Sequence, residues 1–190
     1  LACTQPSAAQ QKRKARKPSP TSRVAPPPRA VEEIPQAWKE FTPPDGRFKI
    51  FLPGTPEPDH SSDPDGARNF GLTTTIAIYG AGYKDFPAEE QENPDFGRNL
   101  LNLTTENMSR VPDIEVVSQT EIKRAGYAGR ELRFKLPEDG IYVDRMLLVG
   151  GRLYQLSIAI RGYYSPTARK GFYDWLIARY LESFELTPEK

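Results

Sequence analysis

Residues 129–161 read GRELRFKLPEDGIYVDRMLLVGGRLYQLSIAIR. Three runs rich in β-branched, aromatic and aliphatic residues are separated by PEDG at 137–140 and by Gly150-Gly151. Proline fixes one backbone dihedral, while Gly and Asp tolerate the left-handed conformations that tight turns need, so the two breaks mark hairpins and the runs mark strands. A two-residue loop at Gly150-Gly151 sets Leu147 opposite Tyr154, Arg145 opposite Leu156, Val143 opposite Ile158 and Ile141 opposite Ile160. The preceding turn is expected to set Leu136 opposite Ile141, Phe134 opposite Val143 and Leu132 opposite Arg145. Both hairpins then place the same residues inward, and on the other face Arg133 meets Asp144 in a cross-strand ion pair.

Working outward, residues 115–124 supply one more strand of this region. Upstream, Phe48, Ile50 and Leu52 alternate with Arg47, Lys49 and Phe51 between two turn signals, which predicts a strand over 47–52. A polar loop over 55–67 precedes two strands within 69–85, where Gly80 and Gly82 are read as a bend or bulge. Asn93 followed by Pro94 signals a helix start, and Phe96, Leu100, Leu103, Thr104, Met108 and Val111 share one face at helical spacing. Ser165 before Pro166 signals a last helix to about residue 182, with Ala168, Phe172, Trp175, Leu176 and Tyr180 on its apolar arc, and a short strand at 183–186 follows. The elements add up to an α+β layered domain with a mostly antiparallel twisted sheet and two main helices.

The 190 residues have room for one ordinary domain plus appendages. The net charge of +1 hides an asymmetry. Residues 1–35 carry Lys12, Arg13, Lys14, Arg16, Lys17, Arg23 and Arg29 against Glu32 and Glu33, a net of +5, which leaves −4 on the rest. Residues 4–35 hold no aromatic side chain and are rich in Pro, Ala and Ser, so they cannot bury enough surface to offset their ordering entropy; a disordered tether over 1–35 ahead of a single domain over 36–190 is expected. Cys3 is the sole cysteine, which excludes disulfides and thiolate metal sites from the domain. Leu1-Ala2-Cys3 resembles the end of a bacterial lipobox, so Cys3 is expected to be lipidated and the domain to sit in the cell envelope outside the cytoplasm. The basic run Lys12, Arg13, Lys14, Arg16 and Lys17 is open to two readings, a contact with anionic lipid or cell-wall polymer and a solubilising linker.

The segments DGRFKIFLPG at 45–54 and SFEL at 183–186 resemble the PsbP-like fold group, which includes the photosystem extrinsic subunit PsbP and many bacterial lipoproteins. The resemblance runs over 38–186 in element order. It implies an α/β/α sandwich and a binding or scaffolding role rather than catalysis. LPGTPEP at 52–58 departs from the proline and Gly-Trp pattern of the photosynthetic members, so no photosystem role and no ligand residues carry over.

Candidate chemistry is sparse. His60 is the only histidine and lies in a polar loop, and no G-x-S-x-G elbow accompanies it, so no catalytic base is assigned. Asp59, Asp63 and Asp65 before Gly66 resemble half of a calcium loop, but Pro64 intrudes and Leu72 stands where a closing Glu belongs; a solvated turn is favoured and metal binding is the alternative. Gly80-Ala81-Gly82 does not form a strand-to-helix phosphate loop. The acidic body offers no stripe for nucleic acid, and no cofactor is expected. Two arginines stand out. Arg145 faces inward in both hairpin registers and Arg179 falls near Trp175 in the apolar arc, so each needs a carboxylate, an aromatic face or a bound anion. Tyr163 and Tyr164 are the loop aromatics singled out as contact residues. The expected function is a non-catalytic, lipid-anchored envelope domain that binds a protein partner or assists complex assembly, not an enzyme. The alternative is a lipoprotein that binds a small ligand, an anion or a metal, or less readily a hydrolase.

Overall fold

A computed structural model of the chain describes residues 37–60 and 66–188. The elements are β1 (Lys39–Phe41), β2 (Phe48–Leu52), β3 (Glu57–Asp59), β4 (Arg68–Thr73), β5 (Ala77–Asp85), the single turn α1 (Ala88–Gln91), α2 (Phe96–Ser109), β6 (Glu115–Arg124), β7 (Tyr127–Leu136), β8 (Gly140–Val149), β9 (Arg152–Ile160), α3 (Lys170–Glu182) and β10 (Glu185–Leu186). Seven strands form an antiparallel sheet in the order β3-β4-β5-β9-β8-β7-β6, and β1, β2 and β10 form a small second sheet around β2. Cys3, the basic run at 12–17, Asp63 and Asp65 lie outside the described residues.

The large sheet is covered on both faces. On one, Tyr79, Val143, Leu156 and Ile158 meet Leu176, Ile177, Tyr180 and Leu181 of α3 and the alternate residues Phe48, Ile50 and Leu52 of β2. On the other, Leu132, Phe134, Met146 and Leu153 meet Leu101 of α2. Strands buried on both faces lose the simple alternation of a half-solvated sheet, which is why residues 140–149 read as nearly continuous apolar sequence.

The β8–β9 register is the expected one, with Ile141, Val143, Arg145 and Leu147 opposite Ile160, Ile158, Leu156 and Tyr154. The β7–β8 register differs by one residue. Glu138 and Asp139 both adopt left-handed φ of 56°, so the loop spans three residues and Leu136 pairs with Gly140. Arg133 therefore lies opposite Val143 rather than Asp144, and Glu131 lies opposite Arg145. A one-residue slip exchanges the faces, and it carries the β7 charges to the α3 side.

Gly80 and Gly82 sit in an unbroken ladder, with Gly71 opposite Gly80 and Asn69 opposite Gly82, so the expected bulge is absent there. Close approach explains the glycines instead. A methyl on Gly80 would reach within 2.5 Å of Ser157 Oγ, and one on Gly82 would come within 2.8 Å of Arg68 O. The irregularity between Val116 and Ser118 of β6 is where the sheet departs from regular pairing.

Both helices are displaced from their sequence signals. Asn93 forms a turn with Phe96 and α2 starts after it. Its sheet-facing side centres on Leu101, and Leu103 is 54% exposed. The cause is Arg130 of β7, whose Nη1 donates to Leu101 O, Asn102 Oδ1 and Thr105 Oγ1, each at 3.0 Å. That attachment fixes the helix rotation and leaves no trace in hydropathy. Similarly α3 starts at Lys170, not after Ser165. Tyr164 N donates to Asp139 O at 2.8 Å and the Tyr163 hydroxyl bonds Asp174, so the segment is drawn onto the β7–β8 turn before it can coil.

Candidate functional site

Arg145 projects from β8 into the groove beside α3, with its side chain 11% exposed. Its Nε and Nη2 donate to Glu131 Oε2 at 3.0 and 2.7 Å, and its Nη1 donates to Glu182 Oε1 at 2.7 Å and Leu181 O at 3.1 Å. Arg133 Nε donates to the second oxygen of Glu131, and Arg124 Nη1 donates to the second oxygen of Glu182. Three guanidinium and two carboxylate groups thus alternate from β7 to the end of α3. Burial pushes the Glu182 carboxyl up, but hydrogen bonds from Arg145 and Arg124 outweigh this and leave its pKa lowered. The groove over this chain has a volume of about 530 Å³. Its central guanidinium is satisfied by protein oxygens, so the groove is a charge lattice that ties β7, β8 and α3 together.

Tyr163 is drawn inward, 5% exposed, and donates its hydroxyl to Asp174. Burial, then that hydrogen bond, pushes its phenol up to about 12. Tyr164 is half-buried, edge-on to Tyr163. Asp59 lies on the edge strand β3 opposite Asn69. Among the described residues no group of three His, Cys, Asp or Glu side chains is arranged to hold a metal ion.

Arg179 falls on the exposed side of α3 rather than in its buried arc, because the arc is set by Leu176, Ile177, Tyr180 and Leu181. Its guanidinium lies 5.1 Å from the Trp38 ring and 5.6 Å from the Trp175 ring. Trp175 is 44% exposed and stacks on Phe172 at 5.8 Å, and the Arg169 guanidinium lies 5.4 Å from the Phe172 ring. Residues 169, 172, 175 and 179 recur at helical spacing, so two aromatic rings flanked by two arginines run along the outer side of α3 from its N-cap. Trp38 closes the row and rests edge-on against Tyr79, which fixes it to the core. The sequence signals of this row were the spacing of 172, 175 and 179; the arrival of Trp38 from 141 residues upstream was not legible.

No protein-family model and no curated protein matches the chain. Solved structures resemble it to different degrees. The solution structure of PsbP (CyanoP) from Synechocystis sp. PCC 6803 aligns over 82% of this chain and 95% of its own, with a TM-score of 0.55 and 11% identity. Protein PA94 from Pseudomonas aeruginosa aligns over 80% and 98%, at 0.43 and 10%. The Saccharomyces cerevisiae Ran-binding protein Mog1p aligns over 80% and 96%, at 0.46 and 10%. The chain has a PsbP-like α+β fold.

Proposed function

We propose that the chain is a non-catalytic envelope domain, lipid-anchored through Cys3, that binds a protein partner or helps assemble a complex through the outer side of α3. The observation that carries the reading is the row formed by Trp38, Arg179, Trp175 and Phe172. Trp and Arg are the residue types that dominate binding energy at protein interfaces. Here they are held in one arrangement by mutual stacking, so little side-chain freedom remains to be lost on association. Arg169 and Arg179 make this side of the helix basic, and the partner that complements it presents acidic residues around an apolar anchor. The α+β fold supports such a role in general terms.

The test is capture from native membranes with the full chain as bait, beside a Trp175→Ser bait checked for folding by circular dichroism. One stoichiometric partner that is retained by the wild type and lost by the variant is expected. Turnover of a substrate by the pure domain, or equal recovery by both baits, contradicts the reading.

A further inference from the structure

β6 ends the seven-strand sheet: it pairs with β7 on one side, and no described residue pairs with its other side. At 10 residues it is as long as any strand of the fold. The opposite edge, β3, has 3 residues with Pro58 in the middle, and a short edge that carries a proline is poorly suited to accept another strand. No proline interrupts β6. Its irregularity between Val116 and Ser118 confines regular pairing to the stretch from Ser118 to Arg124.

The turn at the end of that stretch decides which backbone groups face outward. Ala125 and Gly126 both have left-handed φ, 49° and 89°, and Arg124 pairs with Tyr127 across them. Such a two-residue turn is closed by reciprocal backbone hydrogen bonds between the residues that flank it, and in an antiparallel pair the bonded positions alternate. Ile122 and Thr120 therefore spend their N–H and C=O groups on β7, while Lys123 and Glu121 direct theirs to the open side. The side chains of Glu121 and Lys123 share one face, opposite Arg130 and Ala128 of β7, and both are exposed. Arg130 is turned to α2, which leaves the Glu121 carboxylate at the edge. Between them Ile122 points to the other face, where it is half-buried against the core beneath α3.

An acid and a base on either side of an apolar residue are complementary to themselves when two copies run antiparallel. A two-fold axis at Ile122 sets Glu121 of each copy opposite Lys123 of the other, at positions whose outward backbone groups can exchange hydrogen bonds, and brings the two Ile122 side chains together. Axes at Glu121 or at Lys123 would set like charges face to face, and one at Thr120 would leave Glu121 opposite the uncharged Gln119. We propose that β6 is a self-association edge, to which a second copy of this chain adds its own β6 antiparallel about Ile122, so that two seven-strand sheets become one. The pairing uses none of the residues of the α3 row, so its failure would leave the partner-binding reading standing.

The experiment is sedimentation velocity of the full chain over a concentration series up to roughly 100 μM, beside Lys123→Glu and the exchange of Glu121→Lys with Lys123→Glu. Both positions are exposed, and circular dichroism checks that the variants keep the fold. The wild type is expected to dimerise as concentration rises. Lys123→Glu turns both ion pairs into repulsive contacts and should weaken the dimer by about tenfold or more, and the exchange re-forms each pair with its signs reversed and should restore it. A chain that stays monomeric over the series, a dimer indifferent to Lys123→Glu, or a dimer that the exchange leaves broken overturns the inference.

Discussion

Arg145 and Glu131 are direct cross-strand partners, and their Nη2 and Oε2 atoms lie 2.7 Å apart in surroundings where the two side chains are only 11% and 13% exposed. Pairs this dry are asymmetric in their energetics: loss of one member leaves the other charged and poorly solvated, whereas replacement of both is far milder. Arg145→Met should therefore cost roughly 2–3 kcal/mol, less than the full buried-pair loss because Arg133 still reaches Glu131. Arg145→Met with Glu131→Gln should recover more than half of that. Urea unfolding of the four-member cycle measures it, and a stable single variant would show that the pair is dispensable.

Asp144 gives a pH dependence of opposite sign to ordinary acid denaturation. Burial raises its carboxyl from an ordinary value of 3.8 to about 7, with the hydrogen bond from Gln155 opposing. Between those values the native state holds a proton that the unfolded chain has released, so this group's stabilisation is full below about pH 4, fades as pH rises and is gone above about 7. At about 1.4 kcal/mol per pH unit, the loss is on the order of 4 kcal/mol. Asp85 works the other way, since its hydrogen bonds from Arg152 lower its pKa and its contribution disappears only as pH falls below the carboxylate range. Thermal unfolding of Asp144→Asn should be nearly flat from pH 5 to 8, and the variant should exceed the wild type at pH 8.

Gly82 and Gly71 occupy the same sheet face but differ in the space above them. Gly82→Ala would press a methyl toward the Arg68 carbonyl at 2.8 Å, a backbone atom that cannot rotate away. Gly71→Ala meets only an ordinary contact. The first should destabilise by about 1–3 kcal/mol through overpacking, and the second should be neutral or stabilising by about 0.5 kcal/mol through reduced unfolded-state freedom. Melting temperatures of the two variants decide it.

Arg130 holds α2 to the sheet through three acceptors, and one leucine, Leu101, is the helix residue buried beneath it. Arg130→Met should cost about 1–3 kcal/mol, because Leu101 O and the two side-chain oxygens lose a charged donor. Amide exchange should speed up across 96–109 well before it does in β8 and β9.

The fold was legible where local chemistry and burial agree. Gly150-Gly151 fixed the β8–β9 register because a two-residue loop allows one pairing. Leu136 and Gly140 were misaligned because PEDG carries two residues that tolerate left-handed φ, and sequence does not say how many will adopt it. The rotation of α2 is set by three hydrogen bonds from Arg130, and the start of α3 by the Tyr164 N–H bond to Asp139 O, partners that lie 25 residues or more apart in sequence. Arg145 was recognisable as an inward charge, but its partner followed from the register. Asp144 was hidden for the same reason, since the expected pairing placed it against Arg133 on an outer face.

The most direct test of the binding role is photocrosslinking in the native host, with benzoylphenylalanine at position 175 on the α3 row and at position 103 on the exposed side of α2. The aromatic replacement keeps the stacking on Phe172, so the row stays formed. A single stoichiometric adduct from position 175 with none from position 103 is the predicted result. No adduct from position 175, or the same adducts from both positions, would contradict a docking role for this side of the domain.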